Sequence, residues 1–184
     1  MLPTFEVGAH RLRPVRVEDA GPLRRHWDHP DVRRFLFDGC RVSDEEAEVR
    51  VAASLADADR ASRGMWVIDE PPAVGTAGDD VSLVGMCALW ASSQPSVASV
   101  EVVYSLAPTY WGRGLATAAA GAVVAHGLGP LGLPAIGAAV DVGNVASTAV
   151  LRRLGMVRVP DADEVGPLGA IHWWRRTAGG AGPA

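Results

Sequence analysis

The residues with the clearest chemical signature lie mid-chain, in Leu106-Ala107-Pro108-Thr109-Tyr110-Trp111-Gly112-Arg113-Gly114-Leu115-Ala116-Thr117. A strand-like run over 97–106 precedes this stretch and a helical pattern follows it, which places Gly112 and Gly114 at a strand-to-helix turn. The amides of the first helical turn there have no internal partner and converge on one point, with the positive end of the helix dipole behind them, an arrangement that favours phosphate. Arg113 either adds a charge-assisted contact or, by alternation, faces solvent. Because Gly-x-Gly-x-x-Thr lacks the third glycine of the dinucleotide fingerprint, residue types alone leave two readings, a phosphate cradle or an ordinary connection.

Composition removes other chemistries. The chain has 184 residues and no lysine, all 17 basic residues being arginine. Schiff-base catalysis and a Walker-type phosphate loop are therefore excluded. Cys40 and Cys87 stand far apart with no metal-ligand spacing around either, which predicts two reduced, mostly buried thiols and no metal. A net charge of −4 without a basic run argues against nucleic acid as a partner. No apolar run is long enough for a membrane span and the first residues do not form a secretory leader, so the expectation is a soluble, cytoplasmic protein.

At 48% apolar residues, this length suits one domain, here taken as 1–177, followed by a flexible tail over 178–184 rich in Gly and Ala. The pattern predicts a first strand over 10–17, a helix to about 27, and a short helix started by Pro30 carrying Val32, Phe35 and Leu36. Ser43-Asp44-Glu45-Glu46 is a capping box, and Ala47, Val51, Leu55 and Ala58 give the following helix, to about 59, one apolar stripe. Strands at 65–68 and 81–90 form a hairpin across the turn-forming 71–80. After the strand at 97–106 come a helix over 114–127, a strand at 135–142, a helix over 145–154 capped by Asn144 and stopped by Gly155, and last strands at 156–159 and 168–176. His126 ends the helical stripe and reads as a core or C-terminal residue. The sum is mixed α/β or α+β around one sheet.

Three ordered stretches resemble the GNAT N-acetyltransferase superfamily, most closely the branch of the RimJ and RimL ribosomal-protein N-terminal acetyltransferases. The first is Leu12-Arg13-Pro14-Val15-Arg16-Val17-Glu18-Asp19-Ala20, similar to that branch's first strand and helix start. The second is Glu101 to Thr117, in which Gly114 and Ala116 match the (Gln/Arg)-x-x-Gly-x-(Gly/Ala) loop and Trp111 stands at its first position. The third is Asn144-x-x-Ser147 with Val150-Leu151-Arg152-Arg153-Leu154-Gly155-Met156, similar to an Asn-x-x-Ser helix ending in Leu-Gly-(Phe/Met).

The resemblance implies a twisted, mostly antiparallel central sheet of about six to seven strands with about four helices, and a splayed strand pair at an acetyl-CoA cleft. It implies pantetheine amides on the backbone of Ser105 and Leu106, and pyrophosphate on the amides of Gly112, Arg113, Gly114, Leu115, Ala116 and Thr117, beside Trp111. Asn144 and Ser147 would flank the thioester, although Asn144 is also explained as a helix cap alone. For the chemistry, Glu101 stands where the branch has a glutamate and is the candidate base, its flanking valines raising its pKa by desolvation, although alternation along the strand is also met by a solvated glutamate on the exposed side. Ser147 is the candidate acid for the departing sulfur, since neither Tyr104 nor Tyr110 lies on the later helix where relatives carry a tyrosine. Trp27, Phe35, Trp90 and Trp173, with Trp174, are candidates for the acceptor pocket or for the core. The implied activity is acetyl transfer to a primary amine, the leading acceptor a protein or peptide N-terminus. The alternatives are a small amine such as an antibiotic or polyamine, marked by Glu101 being joined by Asp31, Asp38 or other carboxylates, and an acetyl-CoA sensor without turnover. Dimers are common in the family, which leaves a homodimer open.

Overall fold

The computed structural model describes residues 2–70 and 83–180. Its elements are β1 (Phe5–Val7), β2 (His10–Pro14), α1 (Ala20–Asp28), α2 (Pro30–Arg33), α3 (Asp44–Ala61), β3 (Met65–Asp69), β4 (Leu83–Ala91), β5 (Val100–Leu106), α4 (Leu115–Leu128), β6 (Ala135–Asp141), α5 (Val145–Arg153), β7 (Val157–Arg158), β8 (Glu164–Gly166) and β9 (Gly169–Thr177). The predicted turn over 71–80 and the tail residues 181–184 lie outside the described residues, while the β3–β4 pairing itself is antiparallel as expected. Among the described residues, no helix is long and apolar enough to cross a membrane.

Local chemistry sets several boundaries. Ser43 Oγ accepts the Glu46 N–H at 3.1 Å while Glu46 Oε2 accepts the Ser43 N–H at 2.8 Å, the reciprocal cap that starts α3. The first strand ends at Pro14, because Arg13 turns inward to bridge Asp19 and Asp69, at 2.7 and 2.8 Å, and the chain bends into a short turn over Val17–Asp19. The helix begun by Pro30 is one turn long, leaving Phe35 and Leu36 beyond its end. Phe37 and Asp38 then take left-handed conformations, at φ 52° and 57°.

One sheet runs in the order β1-β2-β3-β4-β5-β6-β9-β7, with β8 paired to β9. It has nine strands rather than six or seven because β1 and β8 are three-residue strands too short to show a period. Among the described residues the helices number five, one more than the resemblance implies, and the short helix expected at Pro30 is present as α2. Every neighbour is antiparallel except β5 and β6, which run parallel and share a single register pair, Glu101 with Gly137.

Side-chain alternation gives each face its own core. On one face Ala119, Ala120, Val123 and Val124 of α4 and Leu151 of α5 pack on Leu89, Val102 and Ile136. Gly127 lets α4 approach closely, since a Cβ there would lie 2.6 Å from Ile136 Cδ1. On the other face Leu23 and Trp27 of α1 and Val51 of α3 cover Met65, Val67, Met86 and Ala88. His126 sits in the first core, ring-edge to Phe5 and Trp66, as expected. Cys87 is buried, but Cys40 is exposed, because it follows the left-handed turn rather than a packed element.

Candidate functional site

Beyond its single pair with β6, the far half of β5 has no strand partner on that side. Ala107 N–H donates to Val84 O at 2.8 Å and Ser92 N–H to Ser99 O at 3.1 Å, both directly opposed pairs of the β4–β5 register. Antiparallel ladders alternate, so the main-chain groups of Glu101, Val103 and Ser105 point to β4 and those of Tyr104 and Leu106 point into the gap. A Cβ at Gly85 would lie 2.3 Å from Ser105 O, which places that carbonyl on the β4 side as well. Of the two backbone positions anticipated for pantetheine, Leu106 therefore faces the gap, and Tyr104 rather than Ser105 supplies the other free edge.

The gap widens into a cleft of about 940 Å³, walled by Tyr104 to Leu106, the glycine turn, the first turns of α4 and α5, and Phe35. Gly112 and Gly114 stand at φ 72° and 79°, a region other residues avoid. Gly114 is the N-cap of α4 without any side-chain cap, and the first helical bond is Ala118 N–H to Gly114 O at 3.0 Å. The amides of Leu115, Ala116 and Thr117 are thus left pointing at the cleft. Arg113 is exposed and stacks over the Tyr110 ring at 5.6 Å, while Arg34 and Arg153 line the cleft. Trp111, half exposed, donates its indole N–H to Leu106 O at 2.7 Å.

Asn144 and Ser147 come to the opposite wall at the start of α5. Asn144 Oδ1 accepts the Ser147 N–H at 3.1 Å, so it caps the helix and lines the cleft at once. Ser147 Oγ lies 2.7 Å from the Tyr104 hydroxyl. Burial pushes the Tyr104 phenol up, although the Ser147 contact opposes that, so it stays protonated at neutral pH. No sequence signal linked these residues, because the tyrosine reaches α5 across the fold from a strand.

Glu101 lies on the other face of β5, directly opposite Trp90 of β4 and Gly137 of β6. It borders a smaller cavity of about 120 Å³ that shares Phe35, Leu36, Tyr104, Asn144 and Ser147 with the large cleft. Burial, followed by the charge of Glu164, pushes its pKa up to about 7. Asp141, on the same face of β6 and lining the same cavity, is raised by burial and then by Asp38. Among the described residues, Asp38, Glu101, Asp141 and Glu164 form no ion pair, whereas Asp19, Asp28, Asp44, Asp57, Asp69 and Asp163 all do. On this face too, His26 Nε2 lies 2.8 Å from Ser105 Oγ, joining residues 79 positions apart. Burial, with the nearby His29, lowers the His26 pKa to about 4 and leaves it neutral.

The aromatic candidates divide. Phe35 lines both cavities, and Trp90 is partly buried beside Glu101. Trp27 and Trp173 are fully buried and can touch no acceptor. Trp27 packs edge-on to Phe37, Trp173 donates its indole N–H to Glu164 at 2.9 Å, and Trp174 is buried in the other core. Large aromatics that could line a pocket were here drawn into the interior by their area.

The sequence over residues 10–157 matches the acetyltransferase (GNAT) domain family. A protein named N-acetyltransferase YoaA, from Bacillus subtilis, is 28% identical over 84% of this chain and 83% of its own length. Among solved structures, the ribosomal-protein-S5-alanine acetyltransferase of Vibrio fischeri superposes with a TM-score of 0.77 at 16% identity, over 96% of this chain and 97% of that one. RimL, the ribosomal L7/L12 α-N-protein acetyltransferase in complex with coenzyme A, does so with a TM-score of 0.72 at 16% identity, over 97% and 100%.

Proposed function

The chain belongs to the GNAT acetyltransferase family, and from that premise we propose that it moves the acetyl group of acetyl-CoA to a primary amine, with Glu101 as base and the N-terminal amine of a peptide or protein as acceptor. The observation that carries the catalytic part is the position of Glu101. It stands at the last point where β5 and β6 still pair, facing the acceptor cavity, with a pKa of about 7.

The residues present suit acetyl-CoA. Free amides on the glycine turn and the start of α4 would hold pyrophosphate, the open edge of Tyr104 and Leu106 would hold the pantetheine amides, and Arg34 and Arg153 carry the compensating charge. Bound there, acetyl-CoA supplies an activated thioester carbonyl. Glu101 accepts the proton of the incoming ammonium, directly or through water, and a carboxyl near pH 7 is poised for that transfer. The N–H groups of Tyr104 and Leu106 are the main-chain donors open to charge developing on the carbonyl oxygen. The Ser147 hydroxyl, 2.7 Å from the Tyr104 phenol, donates a hydrogen bond to the departing sulfur, and the second proton released by the amine as the C–N bond forms and the C–S bond breaks is the one that converts the thiolate to the thiol.

Support for a peptide N-terminus comes from the fold likeness to two ribosomal-protein acetyltransferases. A second reading, a small polycationic amine, is favoured by Asp141 sharing the cavity of Glu101, with the charge of Glu164 acting on Glu101 and that of Asp38 on Asp141. An amine panel monitored by CoA release tests both. The first predicts N-terminal peptides turned over at least about tenfold better than polyamines, and the reverse order establishes the second. Acetyl-CoA binding with no amine-dependent CoA release would defeat both and leave a sensor.

A further inference from the structure

Tyr110 and Trp111 leave the end of β5 in opposite directions. Tyr110 lines the cleft, but its hydroxyl donates to Glu70 at 2.6 Å and its ring stands against His10, so its side-chain bond does not run to the edge. Trp111 turns back five residues, and its indole N–H meets the carbonyl of Leu106, the last residue of the open edge, at 2.7 Å. Beyond Trp111 come Gly112, Arg113 and Gly114, where a Cβ at either glycine meets nothing within 4 Å and no side chain caps the helix. Main-chain bonds from Tyr110 to Ala107 and from Trp111 to Pro108 hold the chain up to Trp111, and the two glycines beyond it have no side chain with which to hold the turn to its surroundings. Of the two side-chain hydrogen bonds that anchor its upstream end, only that of Trp111 reaches the edge.

We propose that Trp111 is a positioning residue that fixes the spacing between the open edge of β5 and the phosphate-facing amides, so that the arm and the nucleotide of the acyl donor are recognised as one ligand. The inference rests on the acetyl-CoA reading above and concerns how that donor is read. Without the bond both half-sites persist, but a ligand spanning them must order one against the other as it binds. A ligand touching only the edge is indifferent to the loss. An N–H donor is what the position requires, and the glutamine found there in the family pattern carries one as the indole does.

The test compares acetyl-CoA with S-acetylpantetheine, which has the arm without the nucleotide, in wild type, Trp111→Phe and Trp111→Gln. Trp111→Phe keeps a ring and loses the N–H, and is expected to raise KM for acetyl-CoA roughly five- to tenfold, the worth of one hydrogen bond, with kcat within twofold. Its kcat/KM for S-acetylpantetheine stays at the wild-type value, and Trp111→Gln restores the acetyl-CoA KM to within twofold. Inhibition by the CoA nucleotide alone is likewise expected to be unchanged in Trp111→Phe. An equal loss with both donors would make Trp111 a wall of the arm site, and no loss with either would make the bond idle. Failure of Trp111→Gln to restore would assign the effect to the ring. Each of these overturns the proposal, and melting curves of both variants exclude misfolding. A wild type without acetyl-CoA turnover, measured first, would instead defeat the functional reading.

Discussion

The two sides of β5 are built from different materials. On the side proposed for the acyl donor the exposed polar groups are main chain: the open edge of Tyr104 and Leu106, and the amides released by two glycines at positive φ. On the side proposed for the amine they are side chains, Glu101 and Asp141 facing one small cavity, with the charge of Glu164 acting on the first and that of Asp38 on the second. Arg34 and Arg153 line the large cleft together with Asp31, whereas Glu101 and Asp141 are the charged residues that line the small cavity. A main-chain site recognises a fixed group through geometry that few sequences can supply. A side-chain site can be retuned one residue at a time, which suits a fixed acyl donor and a variable amine.

The sharpest way to break this comparison is Glu101→Gln. Turnover at neutral pH is expected to fall about a hundredfold while KM for acetyl-CoA changes little, and an unaltered kcat would remove the carboxylate from the chemistry. In wild type the base must be ionised, so kcat/KM should be low below pH 6, half-maximal near pH 7 and flat above pH 8, in line with the raised pKa. Gly114→Val attacks the other side. The backbone sits at φ 79° while a Cβ there meets nothing within 4 Å, so the damage comes from strain of about 1–3 kcal/mol, and acetyl-CoA affinity should fall roughly tenfold or more by titration calorimetry with kcat at saturation less affected. Asp141→Asn should act on acceptor choice alone, lowering kcat/KM for amines with a second positive charge about fivefold and sparing neutral-bodied amines. Equal effects on both would detach Asp141 from selectivity.

The smallest effect is one of stability. Glu101 has a folded-state pKa above its unfolded value, so the native state holds its proton longer. That preference favours folding at pH 4 and is lost as pH rises through about 7, where ionising a partly buried carboxyl costs stability. Glu101→Gln should therefore melt higher than wild type at pH 8, by a few degrees, with the advantage shrinking towards pH 5. A constant difference across that range would place the carboxylate in solvent.

The same division explains what could be read from the sequence. Gly112, Gly114, the Ser43 capping box and the Asn144 cap announced themselves because each demands a residue type at a fixed short spacing. The order of long elements and the single sheet followed from periodicity and Pro30 marked the start of α2, whereas β1 and β8 carry too few residues for a period to appear and nothing local showed that α2 stops before Phe35 and Leu36. Pairings across the fold stayed hidden, since nothing local distinguishes Tyr104 meeting Ser147, His26 meeting Ser105, or Asp38 approaching Asp141. The tryptophans misled for a related reason. Trp27 and Trp173 could have faced a pocket or the core, and only packing decides which.

The lone rung between β5 and β6 has a mechanical consequence. The sheet consists of two well-knit leaves, β1 to β5 and β6 to β9 with β7 and β8, hinged at Glu101 and Gly137 and backed by α4 and α5. A ligand lying along the edge of Tyr104 and Leu106 while touching the start of α5 takes the place of an absent strand and fastens the leaves together. Donor binding is then part of completing the architecture, and it should slow amide hydrogen exchange in both leaves at once, including strands that never touch the ligand.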